Sequence, residues 1–213
     1  MSTPRSGLDR ALRLRVVRVA GPAAWYPIAL LTGTTVLQAQ PPGRQQQWLA
    51  WLSTDLHNLA THPLGSLLGS GLVCEGDLGA WMVLGLVGLA GLGARTGAWV
   101  AAGLVVAVHV VATLVSQGAV ALRIATGQLP ESSRVMSDVG PSYVVVAALI
   151  GALVFGPLPA RLLGGAGFAL LTPSLFGGLT RLEVSSMGHT ASIVLMVASG
   201  VVVTRRRPTR PNP

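Results

Sequence analysis

Six apolar segments, each about long enough to cross a lipid bilayer, dominate the chain. They lie at about 22–38, 78–94, 97–121, 140–157, 158–179 and 184–203. A bilayer core of about 30 Å needs roughly 17–25 helical residues. The segments lack the alternation of a membrane barrel, and backbone groups in hydrocarbon must be paired within their own segment, so we predict helices. With 51% hydrophobic and only 10% charged residues, a soluble globular domain is excluded. We therefore predict an all-α polytopic membrane protein with a bundle of six transmembrane helices.

A seventh apolar stretch is too short to span a bilayer. It reads HPLGSLLGSGLV at 62–73, and we predict a partly inserted or interfacial helix there. In the second long segment, Gly85, Gly88 and Gly91 recur at helical spacing. No strand precedes them, so they match no dinucleotide-binding loop, and we predict a face for close helix packing.

The arginines predict the orientation, because cytoplasmic loops of membrane proteins are rich in basic residues. With six spans and both ends inside, the inner segments hold eleven arginines against one aspartate, a charge of +10, and the outer segments sum to −2. We predict a multi-pass cell-membrane protein with both termini cytoplasmic. Its parts are a basic N-terminal segment at 1–21, a membrane domain at 22–203 with an outer first loop at 39–77, and a basic tail at 204–213. A cleaved signal peptide is the alternative for the N-terminus, but VLQAQPPG offers no good cleavage site.

The charge and ligand pattern argues against nucleic acid, metal and cofactor sites. Positive charge that flanks a membrane faces lipid headgroups, so nucleic acid is not an expected partner. Cys74 is the single cysteine, and His57 and His62 are spaced i, i+5 rather than at the i, i+4 spacing of a helical metal pair. Glu75 and Asp77 are expected to be solvated at the outer end of the second span. We expect neither a metal nor a cofactor.

Ser142 and His189 are the candidate catalytic residues. In the predicted topology both helices enter from the outer face, with Ser142 roughly 3–5 Å and His189 roughly 8 Å below the boundary. Serine beside histidine is the minimal activated nucleophile. The bland alternatives are that Ser142 caps its helix after Gly-Pro and that His189 bonds to a neighbouring helix. His109, in the middle of the third span, is expected to face the bundle and to bond between helices.

These features resemble the rhomboid intramembrane serine proteases. The resembling features are the six helices, a tryptophan-bearing first loop, Gly140-Pro-Ser142 at the start of the fourth helix and Gly-His189 at the start of the sixth. More closely, STDLHNLATHPLGSLLGSGLV, HVVATLVSQG, SDVGPSYVVVAA and MGHTAS are similar to actinobacterial rhomboid-like membrane proteins, over about residues 50–200. The resemblance implies a rhomboid-like fold, Ser142 as nucleophile and His189 as its base. It also implies a mobile fifth helix, in which Pro173 would supply a kink.

Two departures from the protease pattern keep the function open. Tyr143 stands where rhomboid proteases have a glycine, and the second span lacks their oxyanion histidine and asparagine; we align that asparagine with Val83. The first hypothesis is an intramembrane serine endopeptidase that cleaves transmembrane substrates with a Ser142–His189 dyad. The second is an inactive rhomboid-like protein that binds transmembrane clients, and the third is a small transporter or lipid-handling protein. The expected partners are the lipid bilayer and transmembrane segments of other membrane proteins.

Overall fold

The computed structural model describes residues 23–205, with side chains to residue 200, and every regular element in this range is helical. The basic N-terminal segment and most of the basic tail lie outside the described residues. Nine α-helices are described: α1 Trp25–Gln38, α2 Pro42–Leu52, α3 Leu56–Thr61, α4 Pro63–Gly69, α5 Leu78–Thr96, α6 Ala98–Ala125, α7 Ser142–Phe155, α8 Leu158–Phe176 and α9 Val184–Arg205. Short 3-10 turns lie at Ser70–Leu72, Glu131–Val135 and Leu179–Arg181.

Each of the six long apolar segments coincides with one helix, α1 or α5 to α9, and the ends agree within a few residues. In the described part of the chain, two of these helices, α5 and α6, are both long and apolar enough to cross a membrane, with mean hydropathies of 1.5 and 2.3. Helix α7 is a shorter apolar helix, and so is the part of α9 whose side chains are described, Val184–Gly200. The number of crossings therefore stays a prediction, although the helices themselves are found.

Helix α7 is the central helix of the bundle. All ten residues from Tyr143 to Ala152 are buried, and α7 packs against α5, α6, α8 and α9. A helix that is apolar on every side is suited only to such a position. On α5, a Cβ placed on Gly88 would lie 2.7 Å from that of Ala148. The predicted glycine face of α5 is confirmed, since it lets the two backbones approach closely.

The short apolar segment at 62–73 is helical and inserted among the long helices. It forms α4 and the 3-10 turn, in which Ser70 and Gly71 are buried. The Tyr26 hydroxyl donates a hydrogen bond to the Gly71 carbonyl at 2.9 Å, and Nε2 of His109 donates to the Leu67 carbonyl at 2.8 Å. His109 thus faces the bundle and bonds to another helix, as predicted.

The rest of the first loop has more structure than the sequence indicated. Helices α2 and α3 lie within residues 39–77, where the sequence predicts a loop apart from 62–73. Asp55 caps α3 by accepting a hydrogen bond from the Asn58 N–H at 2.9 Å, and Pro42 occupies the first turn of α2, where a missing N–H costs nothing. Both signals stand in the sequence, but α2 has no apolar periodicity long enough to be recognised.

Candidate functional site

The candidate nucleophile lies at the first residue of α7, after a turn that requires glycine. Gly140 has φ +140°, a conformation that favours glycine because other residues have a Cβ. Its N–H donates to the Ser70 carbonyl at 3.0 Å, and the Val145 N–H donates to the Pro141 carbonyl at 2.9 Å. These two bonds fix the turn between the inserted segment and α7. Ser142 is half-buried there.

His189 is buried on α9, with 5% of its surface exposed. Its Nδ1 lies 3.1 Å from the Leu175 carbonyl oxygen on α8. Because a carbonyl only accepts, Nδ1 must carry the hydrogen, so Nε2 of the neutral ring carries a lone pair. Nε2 is buried and has no hydrogen-bond partner among the described residues. The ring is therefore held in the tautomer that a general base needs.

Tyr143 contacts His189 directly. The two rings meet edge to face, with centroids 5.2 Å apart, and a Cβ on Gly188 would overlap the phenol ring. The Tyr143 hydroxyl lies 3.1 Å from Oδ2 of Asp138 and 3.2 Å from the Val184 carbonyl. Tyr143 therefore joins the turn before α7 to the start of α9.

No hydrogen bond joins Ser142 to His189 in the described residues. His189 bonds Leu175 through Nδ1, and its Nε2 is without a partner. His189 contacts Tyr143, the residue that follows Ser142 on α7. Helix α7 packs against α9. Helices α7 and α9 are thus neighbours, as the dyad hypothesis needs, while the dyad hydrogen bond itself is not formed.

Asp138 is a site residue that sequence reasoning missed. Its backbone and carboxylate hold the first loop: the Thr54 hydroxyl donates to the Asp138 carbonyl at 2.9 Å and lies 3.2 Å from Oδ2, and the Asp138 N–H donates to Oγ of Ser53 at 3.1 Å. Burial raises the pKa of the Asp138 carboxyl, and hydrogen bonds from Tyr143 and Thr54 only partly oppose the shift. In the sequence, Asp138 contributes only to the charge of the predicted outer segments.

A polar stripe on α6 faces the same region. His109, Thr113, Ser116 and Gln117 are all buried, at spacings that place them on one face of a helix. Nε2 of Gln117 is buried without a hydrogen-bond partner among the described residues, and the His109 ring lies 6.1 Å from that of Tyr143. Polar residues at i, i+4, i+7 and i+8 in an apolar helix are a signal that was readable from the sequence.

The alignment of Val83 with the oxyanion asparagine is wrong. Its side chain is 60% exposed on α5, so it does not point into the bundle. The interior of that turn is taken by Gly85, on which a Cβ would lie 3.1 Å from the Tyr26 ring and 3.7 Å from Val145. An asparagine at 83 would therefore not reach Ser142.

The remaining candidates lie in or next to the first loop. His62 stacks on Trp51, with centroids 4.8 Å apart, and its Nε2 lies 2.8 Å from the Trp51 carbonyl. Asp77 is exposed and caps α5 by accepting from the Ala80 N–H at 3.0 Å. His57 and Glu75 line a cleft of about 370 Å³. Among residues 23–205 no group of three or more metal-ligating side chains comes together.

Comparison with known proteins identifies the family of this chain. The family of rhomboid-like proteins matches the chain over residues 15–209. Searches of curated proteins and of solved structures returned no match. The match covers nearly all of the chain, including Asp138 and the helices that carry Ser142 and His189. The chain belongs to the family of rhomboid-like membrane proteins.

Proposed function

We propose that this protein is an intramembrane serine endopeptidase that cleaves transmembrane substrates from the outer face of the cell membrane. In this proposal α1 and α5 to α9 cross the membrane, both termini are cytoplasmic, and the starts of α7 and α9 lie near the outer surface. Ser142 is the nucleophile and His189 the general base.

The observation that carries the proposal is the state of His189. Its Nδ1–H is engaged by the Leu175 carbonyl, so the lone pair of Nε2 is free, buried and without a partner in the described structure. Serine is a weak nucleophile that needs an adjacent base. Catalytic hydrogen bonds are often long in the absence of substrate and tighten when it binds.

The reaction uses atoms that this chain supplies. Oγ of Ser142 attacks the scissile carbonyl and its proton passes to Nε2 of His189, which then delivers it to the leaving amine. A water, deprotonated by the same Nε2, then hydrolyses the acyl ester, and the proton returns to Oγ of Ser142. The N–H of Ser142 has no partner within α7, because the first N–H groups of a helix have none. We propose that it points at the developing oxyanion, where the helix N-terminus favours negative charge.

A second candidate is a non-catalytic protein that binds transmembrane clients through the same bundle. Tyr143 favours it, because its ring contacts His189 and its hydroxyl is held by Asp138 and Val184. The outward direction of Val83 on α5 also supports it, since no oxyanion donor is supplied from that position. Loss of one such donor costs about 3–4 kcal/mol of transition-state stabilisation, which favours a slow enzyme or none.

A cleavage assay in liposomes separates the two candidates. The protein is reconstituted with single-span reporters whose outer half is either rich in Gly and Ala or entirely Leu, because attack on a carbonyl needs an unwound helix. The protease proposal expects release of the outer fragment from the Gly/Ala reporter by the wild type and by Ser137→Ala, but not by Ser142→Ala or His189→Ala. If the wild type and Ser142→Ala bind the reporter equally and neither cleaves it, the protease proposal is contradicted. The non-catalytic binding protein is then the remaining candidate.

A further inference from the structure

One face of α2 lines an open cleft on the outer loop. Arg44, Gln47, Trp48 and Trp51, spaced i, i+3, i+4 and i+7, line a space of about 430 Å³. Arg44 is exposed. It forms no ion pair with any residue that the structure describes, where the ion pair found joins Arg134 to Glu131. The cleft thus presents one positive charge that no acidic group of the described chain neutralises.

Trp48 connects this cleft to an apolar groove. The groove, of about 170 Å³, lies between α1, α2 and the inserted segment and shares Trp48 with the cleft. Its other lining residues are Gly33, Val36, Leu37, Leu52, Gly69, Leu72 and Val73. No charged residue lines it. A cationic cleft and an apolar groove therefore meet at one tryptophan.

The surroundings of this pair of sites have the character of a membrane interface. Trp48 and Trp51 are 46% and 47% exposed, and Leu64 and Leu68 on α4 are 73% and 56% exposed. Tryptophan is enriched at the level of lipid headgroups because its ring is amphipathic. Trp51 is held in place by its stacking on His62. Large apolar side chains left open in this way are favoured only in contact with lipid or a partner.

We propose that the cleft and the groove together bind one glycerophospholipid of the outer leaflet. The phosphodiester lies on the Arg44 guanidinium, whose fork of donors matches phosphate oxygens, and Gln47 donates to the headgroup. Trp48 lies at the level of the glycerol, and one acyl chain enters the groove past Val36. The proposed occupant is a lipid and not a free anion, because the cationic cleft and the apolar groove share Trp48 as a lining residue.

Native mass spectrometry on the delipidated full chain in detergent tests this proposal, with palmitoyl-oleoyl phosphatidylglycerol as the probe. Arg44→Gln removes the phosphate contact, and Val36→Phe fills the mouth of the groove. The matched controls are Arg181→Gln, an exposed arginine in another outer loop, and Val194→Phe, which is 60% exposed on α9. Inorganic phosphate and glycerophosphoglycerol, which lacks acyl chains, are added as competitors.

The proposal expects one retained lipid and an affinity that falls about tenfold or more in Arg44→Gln, as loss of a charged hydrogen bond implies. Val36→Phe is expected to weaken binding, while both controls bind as the wild type does and neither competitor displaces the lipid. Displacement by inorganic phosphate would overturn the proposal in favour of a simple anion site. An equal loss in Arg181→Gln, or no loss in Arg44→Gln, would overturn it in favour of unspecific lipid contact.

Discussion

The Tyr143 hydroxyl lies 3.1 Å from Oδ2 of Asp138, so the residue after the candidate nucleophile is bonded to the loop that precedes its helix. The same hydroxyl lies 3.2 Å from the Val184 carbonyl at the start of α9. Tyr143 is therefore a positioning residue, which aligns the two helix starts that carry Ser142 and His189.

Removing that hydroxyl should lower stability. In Tyr143→Phe the single O–H donor that the Asp138 carboxylate and the Val184 carbonyl share is lost, and leaving a buried acceptor unpaired costs about 1–3 kcal/mol. The melting temperature in detergent should fall. Thr32→Val is the control, because its exposed hydroxyl bonds only to a carbonyl of its own helix, that of Ile28. Equal melting of Tyr143→Phe and wild type would argue against the positioning role.

Gly188 should not tolerate a side chain. A Cβ there overlaps the Tyr143 phenol, and overpacking costs about 1–3 kcal/mol. Gly118→Ala is the matched control, since a Cβ at this exposed position in α6 meets nothing within 4 Å and alanine is the better helix former by up to about 1 kcal/mol. Gly188→Ala should melt below the wild type and Gly118→Ala should not.

A double variant identifies the cause of the Gly188 effect. Tyr143→Ala removes the ring that a Cβ on residue 188 would overlap, so the costs of the two substitutions should be less than additive. Fully additive losses, or a Gly188→Ala variant as stable as Gly118→Ala, would contradict the close contact.

The stability of the protein should depend on the charge of Asp138. Burial raises the pKa of this carboxyl from its ordinary value of 3.8, so the folded state binds its proton more tightly than the unfolded state. The contribution of the protonated Asp138 carboxyl to the free energy of unfolding is complete below about pH 3.8. It is lost as the pH rises through the folded-state pKa. Asp138→Asn keeps the shape without the titration. The wild type should lose stability relative to this variant as the pH rises above 3.8, and parallel curves would refute the assignment.

Both termini should be shielded from the outside. Cysteines placed before Ala20 and after Thr204 should react with an impermeant thiol reagent only after the cells are permeabilised, because the basic flanks favour the cytoplasm. Cys74 gives a low background, since it is buried and burial raises the pKa of its thiol. Labelling of either terminus in intact cells would require an odd number of spans or a cleaved N-terminus.

The long helices of this fold were predictable from the sequence because each is an apolar run bounded by turn residues. The glycine face of α5 was also predictable, since spacing alone puts Gly88 on the side that meets α7. Helix α2 was not, because PGRQQQWLAWL carries only a short apolar pattern. It packs against α1 and the inserted segment, and the sequence of α2 alone does not indicate these contacts.

The candidate site was only half predictable. The helix that carries Ser142 could be identified from its Gly140-Pro turn, and the helix that carries His189 from its apolar sequence. The bond between Asp138 and Thr54 joins residues 84 positions apart, and no local pattern indicates such a pairing. The predicted side-chain direction at position 83 was wrong because a shift of one residue along a helix turns a side chain by about 100°.

Labelling with a fluorophosphonate probe, mapped by peptide mass spectrometry, tests most directly whether Ser142 is activated by His189. The probe needs no knowledge of the substrate, and it reacts only with a serine whose proton a neighbouring base removes. We predict modification at Ser142 in the solubilised wild type, and none in Ser142→Ala or in His189→Ala when both variants melt as folded proteins. An unlabelled, folded wild type, or a His189→Ala variant that labels at the wild-type rate, would contradict it.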